Sequence, residues 1–424
     1  MTRTVAGGSR EAVEQCLDRI AARDDEVHAW AHLDPVQARR AADLVDRVES
    51  DGRLLHGVPV GLKDIIDTAD QPTAYGSNAW AGHVPAADAA VVQRLRRAGA
   101  VILGKTATTE FATYRPSAAR NPHRLDHTPG GSSSGSAAAV ADGQVPVAVG
   151  TQTAGSVLRP GAFCGVFTLK PTYGRWTFDG TLPVALTFDT LGAFARHPAW
   201  LGAIDTAVAE PAGVATLPPT AGLRIGVLRP PWADRATPAA AAALEGAADT
   251  LRGVAADVVD VPVDADYLAL DEAHTLLMAA EAAAALAPMV TGRESDVDQQ
   301  TLAFLATGRA AQPSQVQKAR AVMRSVRALA ARLLTDVDVL LTLAAPGEAP
   351  HGLDSTGDPV FNKLASIAGL PAVGLPVGRG DGGLPLGIQL IGPEHSDQSL
   401  VRIASCLTDR HEVSRFLPSD EESS

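Results

Sequence analysis

Two short segments rich in glycine and serine contain the side chains best suited to chemistry. The first runs from Pro129 to Ser136 and the second from Gly150 to Pro160. Serine hydroxyls become nucleophiles when a base lies beside them. Small residues at Ala154 and Gly155 would let a substrate oxygen approach nearby backbone N–H groups and form an oxyanion hole, where one lost donor costs about 2.7–4 kcal/mol. Either segment alone is typical of a loop with helix-capping hydroxyls, so only the pair indicates acyl-transfer chemistry.

A lysine at the end of an apolar strand could supply the base. Lys63 closes the stretch Gly-Val-Pro-Val-Gly-Leu-Lys that starts at Gly57. Most lysines are exposed, and a surface lysine is the alternative interpretation. At the mouth of a buried strand, however, the ammonium loses its solvation and its pKa falls. The amine is then neutral near pH 7 and can accept a proton.

The elements around these residues must bring the two serine segments together. Periodicity predicts a strand over Val58–Leu62, a helix over Ala137–Ala141 and a buried strand over Val145–Val149. This helix and this strand lie between the two serine segments, so the fold can bring Ser156 back towards Ser132. The second segment also follows the end of a strand, which is where open α/β sheets place their sites. Because helices and strands alternate along the chain, we predict an α/β layered fold.

The rest of the chain is predicted to form one domain over residues 1–424. The Ala- and Leu-rich region from Asp264 to Ala331 is expected to be helical and to wall the pocket. The stretch from Glu210 to Thr220, rich in Pro and Ala, is the one candidate for a domain boundary, or seam. Further helices are predicted over Ser9–Arg23, Asp88–Ala98, Thr237–Arg252 and Phe361–Ile367, and further strands over Ala100–Leu103, Leu223–Leu228, Val258–Val261, Val337–Leu343, Ala372–Val377 and Leu386–Ile391.

Composition and charge restrict the functional classes. The 424 residues are 46% hydrophobic and 20% charged, as in soluble globular proteins. A net charge of −12 argues against non-specific binding to nucleic acid or acidic membranes. The three cysteines are far apart, which indicates reduced thiols and, with no signal-peptide pattern, a cytoplasmic protein. His123 and His127 lie between prolines without an obvious carboxylate partner, so we predict no metal and no cofactor.

Three sequence patterns lack the structural context that their chemistry needs. Gly99 to Thr106 fits a phosphate loop, but its middle residues are apolar and predict a strand. Gly131 to Gly135 fits a nucleophile elbow centred on Ser133, but no apolar strand precedes it. A strand follows Gly378 to Gly383, which favours a hairpin over a dinucleotide site.

The same segments resemble those of the amidase signature enzymes. The resemblance runs from about Gly57 to Pro393 and is densest over residues 57–191, the predicted catalytic core. It implies a large mixed β-sheet covered by helices on both faces, an α/β/α sandwich. Within the family, the short form with GTQT and IIDT resembles malonamidase. The matching stretches are GVPVGLKDIIDT, DAAVVQRLRRAGAVILGKT, PGGSSSGSAAAVADG, GTQTAGSVLRPGAFCG, LKPTYGR, STGDPVFN, GLPAVGLPVG and GLPLGIQLIGP.

Matched position by position, the resemblance implies a role for each candidate residue. Lys63 corresponds to the catalytic lysine, Ser132 to the bridging serine and Ser156 to the nucleophile. No departure from the family pattern removes a catalytic atom, although Ala365 and Ser366 replace a frequent Trp-Thr pair. The implied oxyanion donors are the backbone amides of Thr153, Ala154, Gly155 and Ser156.

Arg159 and Gly131 are the predicted substrate-binding residues. Arg159 lies three residues after Ser156, and a guanidinium can hold a carboxylate with two parallel hydrogen bonds. The resemblance to malonamidase implies that role, and a structural arginine is the alternative. Gly131, which directly precedes Ser132, is the second predicted contact.

Together these residues predict an amidase that hydrolyses the C–N bond of a small carboxamide through a Ser–Ser–Lys triad and an acyl-enzyme. A malonamate-like acidic amide is the substrate hypothesis. The alternative is the glutamine-hydrolysing subunit of a tRNA-dependent amidotransferase, which would need partner subunits. The expected partner is a small amide, without nucleic acid or membrane, and a homodimer is hypothesised from the habit of the family. The intact triad argues against a binding protein, and the phosphate-loop context argues against a nucleotide-dependent protein that uses Lys105.

Overall fold

The computed structural model describes residues 8–210, 213–254, 257–263, 267 and 269–408. Its centre is one sheet of eleven strands. The strands are β1 (Trp30–Leu33), β2 (Pro59–Lys63), β3 (Val101–Thr106), β4 (Val147–Gln152), β5 (Phe167–Lys170), β6 (Thr190–Ala195), β7 (Arg224–Leu228), β8 (Asp257–Val261), β9 (Val339–Leu343), β10 (Ala372–Arg379) and β11 (Pro385–Ile391).

The strand directions make the sheet mixed, as expected. In spatial order it runs β1-β3-β2-β4-β6-β5-β10-β11-β9-β7-β8. Strand β2 pairs in parallel with β3 and β4, and β7 pairs in parallel with β8 and β9. The other pairs are antiparallel. Because β2 and β4 are parallel neighbours, Lys63 and Gln152 end their strands at the same edge of the sheet.

Both faces of the sheet are buried. Val101 and Leu103 of β3 join one hydrophobic cluster, and Ile102 between them joins another. On β4, Ala148 and Val149 divide between the two clusters in the same way. Successive side chains of a strand point to opposite faces, so a strand buried on both sides needs the continuous apolar run seen here.

Helices cover these two faces. Helix α7 begins as its sequence predicts, with Pro238 in the first turn and Thr237 Oγ1 accepting from Ala240 N at 3.2 Å; loss of such a cap costs about 1 kcal/mol. The helices are α1 (Ser9–Val27), α2 (Pro35–Asp46), α3 (Ala90–Arg97), α4 (Ser134–Ala141), α5 (Leu158–Cys164), α6 (Pro198–Val208), α7 (Pro238–Arg252), α8 (Leu270–Ala285), α9 (Ala287–Val290), α10 (Gln299–Ala310), α11 (Pro313–Leu333), α12 (Lys363–Ala368) and α13 (Asp397–Thr408).

The expected helical region is divided into four helices, α8 to α11. Gly292, in the left-handed region at φ 80°, lies in the turn after α9, and Pro313 opens α11. Residues 264–266 and 268, at the start of this predicted region, lie outside the described residues, as do 211 and 212 of the proposed seam. The organisation as one domain stays a prediction. In the part of the chain that the structure describes, no helix has both the length and the apolar character needed to cross a membrane.

The three misleading patterns take the structures expected of them. The apolar centre of Gly99 to Thr106 forms β3, and Lys105 is fully buried with Nζ 3.5 Å from Asp64 Oδ1. No strand leads into Ser133, whose buried Oγ donates to Thr151 O at 3.1 Å. The glycines from 378 to 383 join β10 and β11 in an antiparallel hairpin. None of these segments therefore has the local structure that its pattern requires.

Candidate active site

The amine of Lys63 contacts the first serine segment at Ser132. Its Nζ is 2.6 Å from Ser132 Oγ and 2.8 Å from Thr151 Oγ1. The side chain is fully buried, and this burial holds its pKa well below the ordinary value, although the charge of Asp189 acts in the opposite direction. No carboxylate of the described residues forms an ion pair with it. A neutral amine has one lone pair and can take the hydroxyl proton of Ser132 while it donates to Thr151.

Ser132 lies just before α4, behind a cis peptide bond that joins it to Gly131. The carbonyl of Gly131 accepts a hydrogen bond from Arg159 Nη2 at 2.6 Å. A Cβ on Gly131 would lie 2.5 Å from Thr356 Cγ2, so no larger side chain fits there. Arg159 therefore helps to hold the peptide that carries Ser132, and the role of Gly131 as a substrate contact stays a prediction.

Ser156 lies in the loop between β4 and α5, and it faces the same cavity as Ser132. The side chain of Ser156 is half-buried, and no hydrogen bond joins the two serine hydroxyls in this structure. The bonds of a proton relay are often long in enzymes without substrate and shorten when substrate binds. The geometry thus brings Lys63 and Ser132 into direct contact and leaves the last link of the relay open.

The backbone around Ser156 presents unused donors. Among the described residues, no acceptor bonds the N–H groups of Thr153, Ala154, Gly155 or Ser156, which we call the oxyanion loop. A Cβ on Gly155 would lie 2.4 Å from Asn362 Oδ1, so glycine is required for this close approach. Free, pre-aligned N–H groups at a cavity wall can stabilise a developing oxyanion.

A buried carboxylate supports this loop from behind. Asp189 Oδ1 accepts from Thr153 Oγ1 at 2.5 Å, and Oδ2 accepts from Val184 N and Ala185 N, each at 2.8 Å. Burial raises the pKa of Asp189 to about 6, against the lowering effect of these hydrogen bonds. Neither Asp189 nor Thr151 was predicted from the sequence, although an aspartate directly before an apolar strand is a usable signal.

The cavity in front of the serines has a volume of about 250 Å³. This is below the usual range of about 300–1,000 Å³ for drug-sized ligands, so it suits a small molecule. The predicted helical region contributes to its wall through α8 and α10. Met278 of α8 and Gln300 and Phe304 of α10 are the residues of this wall, and the lining residues used below are Ser132, Thr153, Ala154, Ser156, Arg159, Asp354 and Lys363.

Arg159 is the cation in this cavity that lacks a carboxylate partner among the described residues. Its Nη2 donates to Gly131 O and, at 3.0 Å, to Thr356 Oγ1, and its buried Nε has no acceptor. Burial lowers its pKa to about 10, which still leaves it charged at neutral pH. Lys363 also lines the cavity, but its amine pairs with Asp271. A buried, unpaired guanidinium can receive the carboxylate of a ligand.

The histidines at 123 and 127 do not act together. His123 Nε2 bonds to Cys164 O at 2.9 Å, and His127 Nδ1 bonds to Asp126 at 2.7 Å. Within the described ranges, no three His, Cys, Asp or Glu side chains are grouped so that they could hold a metal ion.

Comparisons with known proteins relate almost the whole chain to one family. The family model described as Amidase matches residues 11–401. The A subunit of glutamyl-tRNA(Gln) amidotransferase from Synechococcus sp. (strain RCC307) is 32% identical, over 93% of this chain and 93% of its own. A chain from a vestigial protein complex, solved to reveal the evolutionary origins of an s-triazine catabolic enzyme, is 31% identical with a TM-score of 0.86 and covers 96% of both chains. Native peptide amidase from Stenotrophomonas maltophilia is 32% identical with a TM-score of 0.78, over 95% of this chain and 93% of that one.

These similarities correct two expectations from the sequence. The relatives point to subunits of amidotransferases and not to malonamidase in particular. The expected set of partners, limited to a small amide and a second copy of the chain without nucleic acid, is wrong, because the curated relatives are subunits of an enzyme named for a tRNA. The expectation rested on the net charge of −12, which bears on non-specific attraction of the single chain to polyanions and not on the partners of an assembly.

Proposed function

Because this chain belongs to the amidase family and is a hydrolase of amide C–N bonds, we propose that it releases ammonia from glutamine through Lys63, Ser132 and Ser156. The observation that carries the proposal is the contact between the buried Lys63 amine, whose pKa burial lowers, and Ser132, 2.6 Å apart, at a cavity that Ser132 and Ser156 line. The finer assignment is to the ammonia-releasing subunit of a tRNA-dependent amidotransferase.

The reaction begins with proton transfer away from the nucleophile. Lys63 Nζ takes the proton of Ser132, Ser132 takes the proton of Ser156, and Ser156 Oγ attacks the amide carbon. The carbonyl oxygen becomes an oxyanion among the N–H groups of the oxyanion loop. As the C–N bond breaks, the relay returns a proton to the nitrogen, which leaves as ammonia. Water then attacks the ester, gives its proton to the same relay, and releases the carboxylate and Ser156.

The charges of the cavity favour an amide that carries a carboxylate and an ammonium group. Arg159 offers an unpaired guanidinium, and Asp354 lines the same cavity without an ion pair to a described residue. Glutamine has both charges at the end opposite its amide. The curated relatives carry the name of an amidotransferase subunit, which supports the same substrate and an assembly with partner chains.

Substrate charge can be tested by removing each group in turn. We expect Arg159→Met and Asp354→Asn each to raise the KM for glutamine about tenfold or more, since hydrogen bonds to charged groups are worth about 1.5–3 kcal/mol. The KM for propionamide, which has neither charge, should change much less. Arg159 also holds Gly131, so the ratio of kcat/KM between the two amides is the quantity to measure, by ammonia release.

A third variant, Arg320→Met, is the control. It removes an exposed arginine of α11 and should leave hydrolysis of both amides unaffected. Equal losses for glutamine and propionamide in both site variants would show that the cavity charges do not recognise the substrate. A chain isolated from its own cells without stoichiometric partners would contradict the assignment as an amidotransferase component.

A small acidic amide such as malonamate is the second candidate substrate. It is favoured by Arg159 being the single unpaired cation among the described residues of the cavity, because one guanidinium suffices for one carboxylate. Asp354→Asn discriminates the two: it should harm turnover of glutamine and improve or preserve turnover of malonamate, which has no ammonium group. The wild-type preference between the two amides distinguishes these substrates independently.

The protonation of Lys63 predicts how activity depends on pH. Protonation removes the lone pair of the base, so kcat/KM should fall on an acidic limb as Lys63 becomes charged. The charge of Asp189 raises the pKa of Lys63, so Asp189→Asn should lower that pKa and shift the limb to lower pH. The position of the limb, and not the height of the plateau, is the measurement. A limb that stays in place or moves to higher pH would contradict the lysine base.

A further inference from the structure

Two side chains that do not line the cavity bond the backbone carbonyls of the oxyanion loop. His274 of α8 has Nε2 3.2 Å from the carbonyl oxygen of Thr153. Ser366 of α12 donates from Oγ to the carbonyl oxygen of Ala154 at 2.8 Å. Both side chains are buried, with exposures of 0% and 2%. Two consecutive carbonyls of the loop are therefore each bonded by a side chain from a different helix.

The protonation of His274 follows from its surroundings. Burial lowers the pKa of the imidazole to about 3, so the ring is neutral at physiological pH. A carbonyl oxygen only accepts hydrogen bonds, and Nε2 must therefore carry the proton and donate to Thr153. The other nitrogen, Nδ1, is buried without a partner. The ring also packs on Phe188, with centroids 4.4 Å apart.

Peptide planarity connects each of these carbonyls to the N–H group of the residue that follows it. The peptide bonds of the loop are trans, since the cis bond of the described chain is at Gly131. In a planar trans peptide, the C=O and N–H bonds point in opposite directions. Fixing Thr153 O towards His274 therefore aims Ala154 N–H the other way, and fixing Ala154 O towards Ser366 aims Gly155 N–H in the same manner.

Ser366 belongs to a longer chain of hydrogen bonds. Its Oγ accepts from Gln152 Nε2 at 3.0 Å, and Gln152 Oε1 accepts from Val157 N and Leu158 N, each at 3.0 Å. Gln152 thus fixes the residues on both sides of the oxyanion loop. With its ends and two of its carbonyls held, the loop has little freedom to turn its N–H groups away from the cavity.

We propose that His274 and Ser366 are positioning residues, which aim the Ala154 and Gly155 N–H groups at the oxyanion of the reaction. The inference rests on the proposed function only in that an oxyanion forms at this loop. It does not depend on which amide is hydrolysed. Neither side chain lines the cavity, so each acts through the backbone and not through substrate contact.

The decisive variant is His274→Phe, which keeps a ring against Phe188 and removes the donor. We expect kcat to fall about tenfold, equivalent to about 1.4 kcal/mol of transition-state stabilisation, with KM within about twofold of wild type. The unfolding temperature should change little, because the cost of leaving the Thr153 carbonyl without its donor is offset by removal of the buried, unpaired Nδ1. His274→Gln restores an N–H donor at similar reach and should recover part of the lost kcat.

Ser366 offers a second pair of variants in case the histidine site does not tolerate change. Ser366→Ala should lower kcat with KM preserved, and Ser366→Thr, which keeps the hydroxyl, should restore it. The measurements use whichever amide the wild type turns over best, so failure of glutamine as substrate leaves this test intact. Unchanged kcat in both His274→Phe and Ser366→Ala, or losses that appear in KM or in the unfolding temperature instead, would overturn the proposal.

Discussion

Substitution Ser156→Ala should abolish amide hydrolysis while leaving the protein folded. Removal of the nucleophile leaves only the oxyanion loop and binding to act on the amide. Losses of this kind in serine hydrolases reach about 10⁶-fold in kcat, and we expect at least roughly 10⁴-fold here. The half-buried hydroxyl makes no hydrogen bond with a described side chain in this structure, so the unfolding temperature should change little. Ammonia release and circular dichroism measure the two effects.

A matched control separates loss of the nucleophile from any effect of a serine-to-alanine change. Ser325→Ala makes the same chemical change at an exposed position of α11 and should keep full activity. Retention of more than a small fraction of wild-type activity in Ser156→Ala would assign the nucleophile to another residue.

Substitution Lys63→Met should have the second largest effect, a loss of kcat on the order of 10³-fold, within the usual contribution of a general base. Methionine has a side chain of similar length but no lone pair of comparable basicity. Stability should not fall. Burial lowers the pKa of Lys63 in the folded state, whereas the unfolded chain keeps the ordinary value of 10.5. Folding therefore releases a proton, and the free energy of unfolding decreases as the pH falls below 10.5. The variant removes that dependence.

Lys170→Met is the matched control for a buried lysine. Lys170 is also fully buried, its pKa is lowered to about 7 by burial, and Nζ donates to Pro171 O at 2.9 Å outside the cavity. We expect this variant to retain its kcat. If Lys170→Met and Lys63→Met lost activity in parallel with their unfolding temperatures, the lysine would be a structural residue and not the base.

The strands that carry the site could be predicted because each is a continuous apolar run that ends in glycine or lysine. Strand β4 and its glycine-rich end are visible in this way. Strand β6, however, is a short run that mixes small residues with Leu191 and Phe194, and it was not predicted. Its pairing with β4 depends on strand neighbours that periodicity does not identify. Helix α2 was not predicted, although Asp34 and Pro35 form a regular N-terminal cap, with Asp34 Oδ1 accepting from Val36 N.

The proposed triad could be named from the sequence because its local segments resemble those of a family. The residues that support it could not. Ser366 lies 212 residues from the Ala154 carbonyl that it bonds, and His274 lies 121 residues from Thr153. Such contacts depend on where α8 and α12 pack, and a buried histidine or serine on a helix carries no sign of its partner. The cavity charges, Arg159 without a partner and Asp354 nearby, likewise appear only when the chain is folded.

Covalent trapping with a fluorophosphonate, followed by peptide mapping in a mass spectrometer, tests the relay most directly. We predict one adduct, on Ser156, whose formation slows greatly in Lys63→Met and Ser132→Ala and is prevented by excess glutamine. An adduct on Ser133 instead, or labelling of Ser156 at the wild-type rate after loss of the lysine amine, would contradict the relay.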